Sequence, residues 1–468
     1  MADLFSVLST SATALNAQQS VTSVISNNLA NVDTPGYSRQ TANLQSSSLD
    51  MLGGVVLGGG VTVSNVTQTR DRFVEAQLPS SQGAAAFSQA QSNSLTAVDA
   101  LNASNSSGIS SALAAFWTSM QSLSQDAGNA SLRTGAVTAT QALASSFNST
   151  SSSLDAARSG LDTQIIGSLT QVNTLSQQIA TLNTQIRGAS AGAQPPNDLL
   201  DARQNAQDAL VALTGAQVVR DAQGDVSLSL GTGLALVSGE SAAKLSTSPD
   251  VSNGNHVAVF ATLADGTGPV SVSNAAIGGQ IGGWLSARDG ALKTAATAID
   301  QLAYDVARAV NTATTSSFAL NGSAGQALFT IGSSAAGAAG SISVNNAIVN
   351  DESLLPTKGT STAGAGDATG LANLINVQSQ AMSGGQTAAT TLATLTSQFG
   401  SETQQATANA AADQASLTHL TTLRASASGV STNEELVNMQ RAQSAYQAMS
   451  RVITTTQAML TALMAIAP

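Results

Sequence analysis

Apolar residues recur at heptad spacing at both ends of the chain. Near the start, Leu4, Leu8, Leu15, Ile25 and Leu29 occupy a and d positions, and Ser11, Gln18 and Thr22 fill the rest of the stripe. This spacing predicts a helix from Asp3 to Ala30, roughly 40 Å long, with the Asp3 carboxylate as its cap. So dilute a stripe reads as a seam that needs partners rather than as a core helix. Pro35 disfavours the helical region for Thr34, and Pro35-Gly36 signals a turn, so the helix ends near Asn31. At the other end Leu436, Met439, Tyr446, Ile453, Leu460 and Met464 repeat the pattern, diluted by Gln443, Ser450 and Gln457. Ser431-Thr432-Asn433-Glu434 in front of them has the form of a capping box, and the predicted helix runs nearly to Pro468, roughly 50 Å.

Between the ends the period changes several times. Val55-Val56-Leu57 and Val61-Thr62-Val63 read as short strands around Gly58-Gly59-Gly60. Helix is predicted from about Phe87, through the faces marked by Ile109, Leu113, Phe116, Met120 and Leu123. It continues along the heptad Leu154, Leu161, Ile165, Val172, Leu175, Ile179, Leu182 and Ile186. Pro195-Pro196 breaks that run, and Asn197 or Asp198 is expected to cap a shorter helix toward Leu213. From about 215 to 280 Val226, Leu228 and Leu230 alternate with polar residues, and His256–Phe260 and Val270-Ser271-Val272 look similar. This is the period of half-buried strands. Helix returns at Trp284, a second β-like excursion covers about 318–356, and a long helix follows from about Thr387 to Ala425.

The expected fold is therefore mainly α with inserted β, built in layers. Residues 1–45 with 428–468 form a coiled-coil-like terminal layer. Residues 46–213 with 280–427 form a helical-bundle body with short β excursions, and 214–279 form a small inserted β domain.

Composition narrows the function. The 468 residues carry a formal net charge of -11, and only 9% are charged, with three lysines, Lys244, Lys293 and Lys358. Nucleic-acid binding needs a basic footprint, and none appears; anionic membrane surfaces are equally unsuited. Cysteine is absent, so disulfides, thiolate metal sites and cysteine nucleophiles are excluded. No apolar run reaches the ~18 residues of a membrane span. The first residues have neither a basic region nor a continuous apolar stretch, so no cleaved secretory signal is expected.

Candidate chemistry is sparse. His256 and His419 stand far apart with no flanking metal-ligand spacing, and structural roles fit both better than a metal or general-base role. Gly58-Gly59-Gly60 and Gly278-Gly279-Gln280-Ile281-Gly282-Gly283 lack the Gly-Lys-Ser/Thr of a phosphate loop, and turn or bulge glycines explain them. No Gly-x-Ser-x-Gly elbow lies between a strand and a helix. No catalytic, cofactor or metal residue is assigned, and no enzymatic activity is expected.

The end segments carry a resemblance. Asn27-Asn28-Leu29-Ala30-Asn31-Val32-Asp33-Thr34-Pro35-Gly36-Tyr37-Ser38-Arg39-Gln40 resembles the N-terminal signature of the flagellar rod, hook and hook-associated axial proteins. Ser428-Gly429-Val430, Asn433-Glu434-Glu435 and Gln443–Ala448 resemble its C-terminal counterpart. Tyr37-Ser38-Arg39-Gln40, the stretch Gly278–Asp289 and the long helical body are closer to the junction subunits of that family than to its hook subunits. The resemblance implies a structural adaptor between hook and filament, exported unfolded through the flagellar type III apparatus. Implied partners are the hook protein, a second hook-associated junction protein, further copies of the chain, and an export chaperone at the C-terminal helix. Nucleic acid and membrane are not among them. The implied location is the extracellular flagellum, and an outermost domain is expected to be reduced or missing. Seams and resemblance together nominate subunit-interface residues: Leu8, Leu15, Ile25, Asn28, Leu29, Asn31, Pro35, Gly36 and Tyr37 at one end. At the other stand Leu436, Met439, Gln443, Tyr446, Ile453 and Leu460. Another axial subunit, of distal rod or hook, and a secreted adhesin-like binding protein remain as alternatives.

Overall fold

The computed structural model describes residues 2–47, 50–52, 55–57, 59–98, 108–190, 195–222 and 224–466. Gly58 and Pro468 lie outside them. The fold is mainly α with an inserted β region. α1 (Ala2–Ala30) leads into the strands β1 (Gln40–Ser46), β2 (Asp50–Leu52), β3 (Val55–Leu57) and β4 (Val61–Gln68). β1 pairs with β4, and β2 with β3, both antiparallel. α2 (Arg72–Thr96), α3 (Ile109–Gln125), α4 (Ala130–Ala189) and α5 (Asn197–Thr214) follow. Helix thus begins at Arg72 rather than near Phe87. Asp71 caps α2, its carboxylate accepting from the N–H groups of Phe73 and Val74.

The β region holds β5 (Gln217–Arg220), β6 (Val226–Ser229), β7 (Ala235–Ser238), β8 (Ser241–Ala242), β9 (Lys244–Asp250), β10 (His256–Thr262) and β11 (Val270–Ser271). They form two antiparallel sheets, ordered β5-β6-β7-β8 and β11-β10-β9. α6 (Gly279–Ser286) passes through a π-helical segment, Ala287–Leu292, into α7 (Lys293–Thr315). The expected β excursion at 318–356 is largely irregular. It holds the two-residue strands β12 (Phe329–Thr330) and β13 (Ser343–Val344) and the short helices α8 (Ala338–Ser341) and α9 (Asn346–Asn350). α10 (Thr369–Asn376), α11 (Ala388–Ser428) and α12 (Thr432–Ile466) complete the chain.

Of the expected caps, the side chain of Asp3 lies outside the described residues. α5 has no side-chain cap; the Asn197 amide instead donates to the Val66 carbonyl. At Ser431 half of the box survives: its hydroxyl accepts the Glu434 N–H at 3.5 Å, while the Glu434 carboxylate turns away to Arg39. A guanidinium is the stronger partner for a carboxylate than a neutral backbone N–H.

Buried apolar side chains of α3–α7, both large sheets and the first half of α11 form one continuous cluster. Its helix crossings are tight. A Cβ on Gly283 of α6 would lie 2.3 Å from the Phe87 carbonyl oxygen of α2, so only glycine permits this approach. The internal glycine run therefore serves a helix crossing as well as the turn ahead of it. The buried Ala14, Ala17, Ile25 and Ala442 of α1 and α12 lie outside that cluster.

Among the described residues, four helix-borne asparagines act as one-residue strands. Each donates its amide N–H to a strand carbonyl and accepts the N–H of the same residue. Asn28 does this to Gln40 (2.8 and 2.9 Å) and Asn173 to Leu245 (2.8 and 2.7 Å). Asn183 does it to Val226 (2.8 and 3.2 Å) and Asn311 to Phe329 (2.8 Å both). Unpaired backbone groups at buried sheet edges are costly, and these amides satisfy them while tying sheet to helix.

The sheet of β9–β11 is also tied by charge to α4 and to the π-helical segment after α6. Arg288, almost fully buried, donates to Asp162 and Asp289 and to the Val257 carbonyl. His256 Nδ1 lies 2.7 Å from Asp162, which places this histidine in a structural network. His419 is exposed on α11. Among the described residues no group of three or more potential metal ligands occurs, and no helix is long and apolar enough to cross a membrane.

Candidate assembly interface

α1 and α12 pack along each other, and small residues predominate among the side chains buried on them. Ser11, Ala14, Ala17, Ile25 and Asn28 are buried on α1; Glu435, Ala442 and Thr456 are buried on α12. Leu8, Leu15 and Leu29, and Met439, Ile453 and Leu460, flank the seam half-buried. An alanine buries little more than one methyl group, ~0.8 kcal/mol, against 1.5–3 kcal/mol for leucine. The helices therefore approach closely while burying little apolar area.

Several large apolar side chains face outward although the two helices are already paired. Phe5 and Val7 are exposed on α1; Leu436, Val437, Tyr446, Val452, Met459, Leu463 and Met464 are exposed on α12, Met464 at 70%. Gln443 is exposed among them. So of the nominated residues on α12, Met439, Ile453 and Leu460 are half-buried while Leu436, Gln443 and Tyr446 are exposed, and Gln443 and Tyr446 line a groove together with Asn27 and Asn31 of α1.

The chain leaves α1 through a tight turn. The Tyr37 N–H donates to the Thr34 carbonyl at 3.2 Å across Pro35-Gly36, and Gly36 has φ +78°. Proline then a left-handed glycine is the type II pattern. Gly36 also abuts α5: a Cβ there would lie 1.9 Å from Asn205 Oδ1. Pro35 is exposed at the tip, and Asn31 is half-buried, its amide donating back to Asn27.

Tyr37 returns to α1, its hydroxyl donating to Asn28 Oδ1 at 2.8 Å. Burial, with Asp201, Asp198 and Glu435 nearby, pushes its pKa up to about 12. Two residues on, Arg39 clamps the other end of the chain. Its backbone N–H donates to the Ser428 carbonyl at 2.9 Å. Its guanidinium donates to Glu435 at 2.8 Å and Glu434 at 3.1 Å. The Glu435 side chain is 2% exposed.

α5 fixes this root to the body. Asp201 accepts from Arg70 at 2.9 Å and from the Ser38 N–H at 3.4 Å. Asp208, one heptad on, accepts from Arg424 of α11 at 3.1 Å. Burial holds both carboxyls above the usual aspartate range, against the pull of their arginines. The heptad reading missed Arg39, Asp201, Asp208 and Glu435. The available signal was charge: with so few charged residues, an arginine in one end motif and two glutamates in the other mark a pair.

The family model for the flagellar hook-associated protein FlgK helical domain matches residues 95–329, half of the chain. The chain belongs to the FlgK family. The model for flagella basal body rod proteins matches residues 8–37, and that for the flagellar basal body rod FlgEFG protein C-terminal region matches 424–466. The first covers most of α1 with its turn, and the second covers α12 with Ser428, Glu434 and Glu435, the partners of Arg39. Among relatives, the flagellar hook-associated protein 1 of Salmonella typhimurium is 28% identical over 323 residues, 68% of this chain. The match spans 58% of that relative's length, so this FlgK-family chain aligns with less than two thirds of it. The Bacillus subtilis protein of the same name is 28% identical over 97% of this chain and 96% of its own. The solved flagellar hook junction protein FlgK from Burkholderia pseudomallei shares the fold, with a TM-score of 0.68 at 17% identity. It covers 75% of this chain and 100% of its own.

Proposed function

We propose that this chain is a structural, non-enzymatic subunit of the bacterial flagellum that joins hook to filament and polymerises through its terminal helices. The observation that carries the reading is the surplus of apolar surface on the paired ends. Leu436 and Tyr446 are 46% and 41% exposed on a helix that already has a partner. Exposed apolar groups at this density mark an interaction surface. The subunit-interface set named from the sequence then divides into Met439, Ile453 and Leu460, which hold α12 to α1, and Leu436, Gln443 and Tyr446, which meet neighbouring subunits. Leu8, Leu15 and Leu29 flank both contacts, and the turn at Asn31–Tyr37 presents Pro35 outward.

On this reading residues 1–45 with 428–468 form the axial layer. Residues 46–213 with 280–427 form the body, and 214–279 the outlying β region. Hook protein lies on one side, a second hook-associated junction protein on the other, and copies of the same chain alongside. The chain travels through the flagellar export apparatus, with a chaperone on the C-terminal helix. The alanine seam supports a further step: ordering costs ~1–2 kcal/mol per residue, more than so thin a seam supplies, so the ends become ordered on assembly. Strong hydrogen-exchange protection of 3–30 and 432–464 in the monomer would sink that step.

The test is a deletion strain viewed by electron microscopy, complemented with Leu436→Asp. Hooks without filaments are expected on deletion, and the variant should fold yet fail to restore filaments. Missing hooks point instead to a rod or hook subunit; intact flagella overturn the reading.

A further inference from the structure

The chain guards its strand edges unevenly. Asn173 occupies the outer edge of β9 at Leu245, and Asn183 occupies β6 at Val226. β5 and β11, each an outer strand of its own sheet, have no such cover among the described residues. The Asp221 N–H donates to the Asp225 carbonyl, so by antiparallel alternation Val218 and Arg220 turn their backbone groups away from β6. The Val272 N–H donates to the Val259 carbonyl, so Ser271 turns its own away from β10. Each edge carries an exposed valine, Val219 at 59% and Val270 at 44%. Exposed edges without a guard are templates for pairing with another chain.

The two edges differ in a way that suits them to each other. β5 borders a cleft of about 1160 Å³, walled on the far side by α2. Arg72 and Arg220 line it with no carboxylate within ion-pair distance among the described residues, whereas Glu75 is engaged by Arg70 and Asp221 Oδ1 by the Asp225 N–H. Gln207, 1% exposed, also lines the cleft, and its side-chain oxygen accepts no hydrogen bond within the described chain. Beside β11 runs an exposed stretch of small residues with one carboxylate, Ala264-Asp265-Gly266-Thr267-Gly268-Pro269.

We propose that β11 and the adjoining Asp265 loop of one copy dock into the cleft beside β5 of the next copy. Ser271 would extend the sheet past Val218 and Arg220, Asp265 would face Arg72 and Arg220, and Gln207 would accept a backbone N–H. The contact joins two different surfaces, so it propagates from copy to copy around an axis instead of closing a symmetric pair. It rests on the assembly reading above and adds a lateral contact remote from the terminal helices.

The chain has no cysteine, which makes thiol cross-linking clean. Val219→Cys, Val270→Cys and the double variant are expressed as full chains, and isolated flagella are treated with a short thiol-to-thiol cross-linker. A ladder of linked copies is expected from the double variant in flagella, with none from either single variant. Asp265→Lys in that background should lose most of the ladder, and Arg72→Glu added to it should restore the ladder. Incorporation is scored separately by electron microscopy. Normal incorporation with no ladder, or links confined within one copy, overturns the contact and leaves the assembly reading standing. Wild-type chain absent from flagella overturns both.

Discussion

Arg39 Nε donates to Glu435 Oε1 at 2.8 Å, joining residues 396 positions apart at the root of the two terminal helices. The Glu435 carboxylate is buried, and Arg39 is its ion-pair partner. Removing one partner of a buried pair costs about 3–5 kcal/mol; Arg39 is 26% exposed, so screening should reduce the loss to roughly 2 kcal/mol. Arg39→Ala should therefore release the start of α12, read as faster hydrogen exchange over 432–442 in assembled flagella. Glu435→Gln should do less, because its amide oxygen still accepts from the guanidinium. The exposed Glu434 should matter little.

Gly36 combines a left-handed backbone with contact against Asn205. Gly36→Ala should cost about 1–3 kcal/mol from strain alone, read in the denaturation midpoint. Asn205→Ala in the same chain should recover the steric share and not the backbone share. Full recovery would show that the turn tolerates L-residues.

Tyr37 should ionise above the ordinary tyrosine range. Its pKa lies near 12, above the usual value of about 10. A raised folded pKa contributes stability that is complete below about pH 10 and lost as pH rises through about 12. The phenolate absorbance titration should lose its high-pH component in Tyr37→Phe. That variant should also drop by about 1 kcal/mol at neutral pH, through the lost bond to Asn28.

Asp289 has the opposite sign. Burial opposes its ionisation, but hydrogen bonds from Arg288 and Asn253 and the arginine charges outweigh it and leave the pKa lowered. Its contribution is present above the ordinary aspartate range and fades as pH falls through its own, lower value. Wild type should exceed Asp289→Asn in urea midpoint at pH 6, and the gap should close below about pH 4.

Asn28→Asp tests the strand-mimic amides. Aspartate keeps the acceptor for the Gln40 N–H and for Tyr37 but loses the donor to the Gln40 carbonyl. Orphaning a buried acceptor costs about 1–3 kcal/mol, with the added cost of burying a charge. Loss of protection should centre on β1; unchanged exchange there would show that the amide is dispensable.

The long helices and the alternating strands were legible because their apolar period is local. The heptad at Leu154–Ile186 lies within α4, and Val226-Ser227-Leu228 lies within β6. The α2 start was missed because Arg72–Ala86 is rich in small and polar residues whose burial depends on α6 and α11. At the ends, the stripe was visible but its inner face was not. Alanine carries almost no periodic signal, so the buried Ala14, Ala17 and Ala442 were invisible beside Leu436 and Tyr446, which are exposed. Long-range polar contacts were the least legible: nothing local to Asn28 or Asn183 says that a strand will need its amide.

The crossing of α2 and α6 at Gly283 has a mechanical meaning. With no side chain between the Gly283 backbone and the Phe87 carbonyl, the contact has no rotamers to rearrange under load. It behaves as a weld rather than a bearing. Strain entering along α2 and its neighbour α11 passes on to α6 and the sheets behind it, while the thin alanine seam of the ends is the compliant element. A part that is stiff in the middle and yielding at its root can change the angle of its ends without breaking its own core.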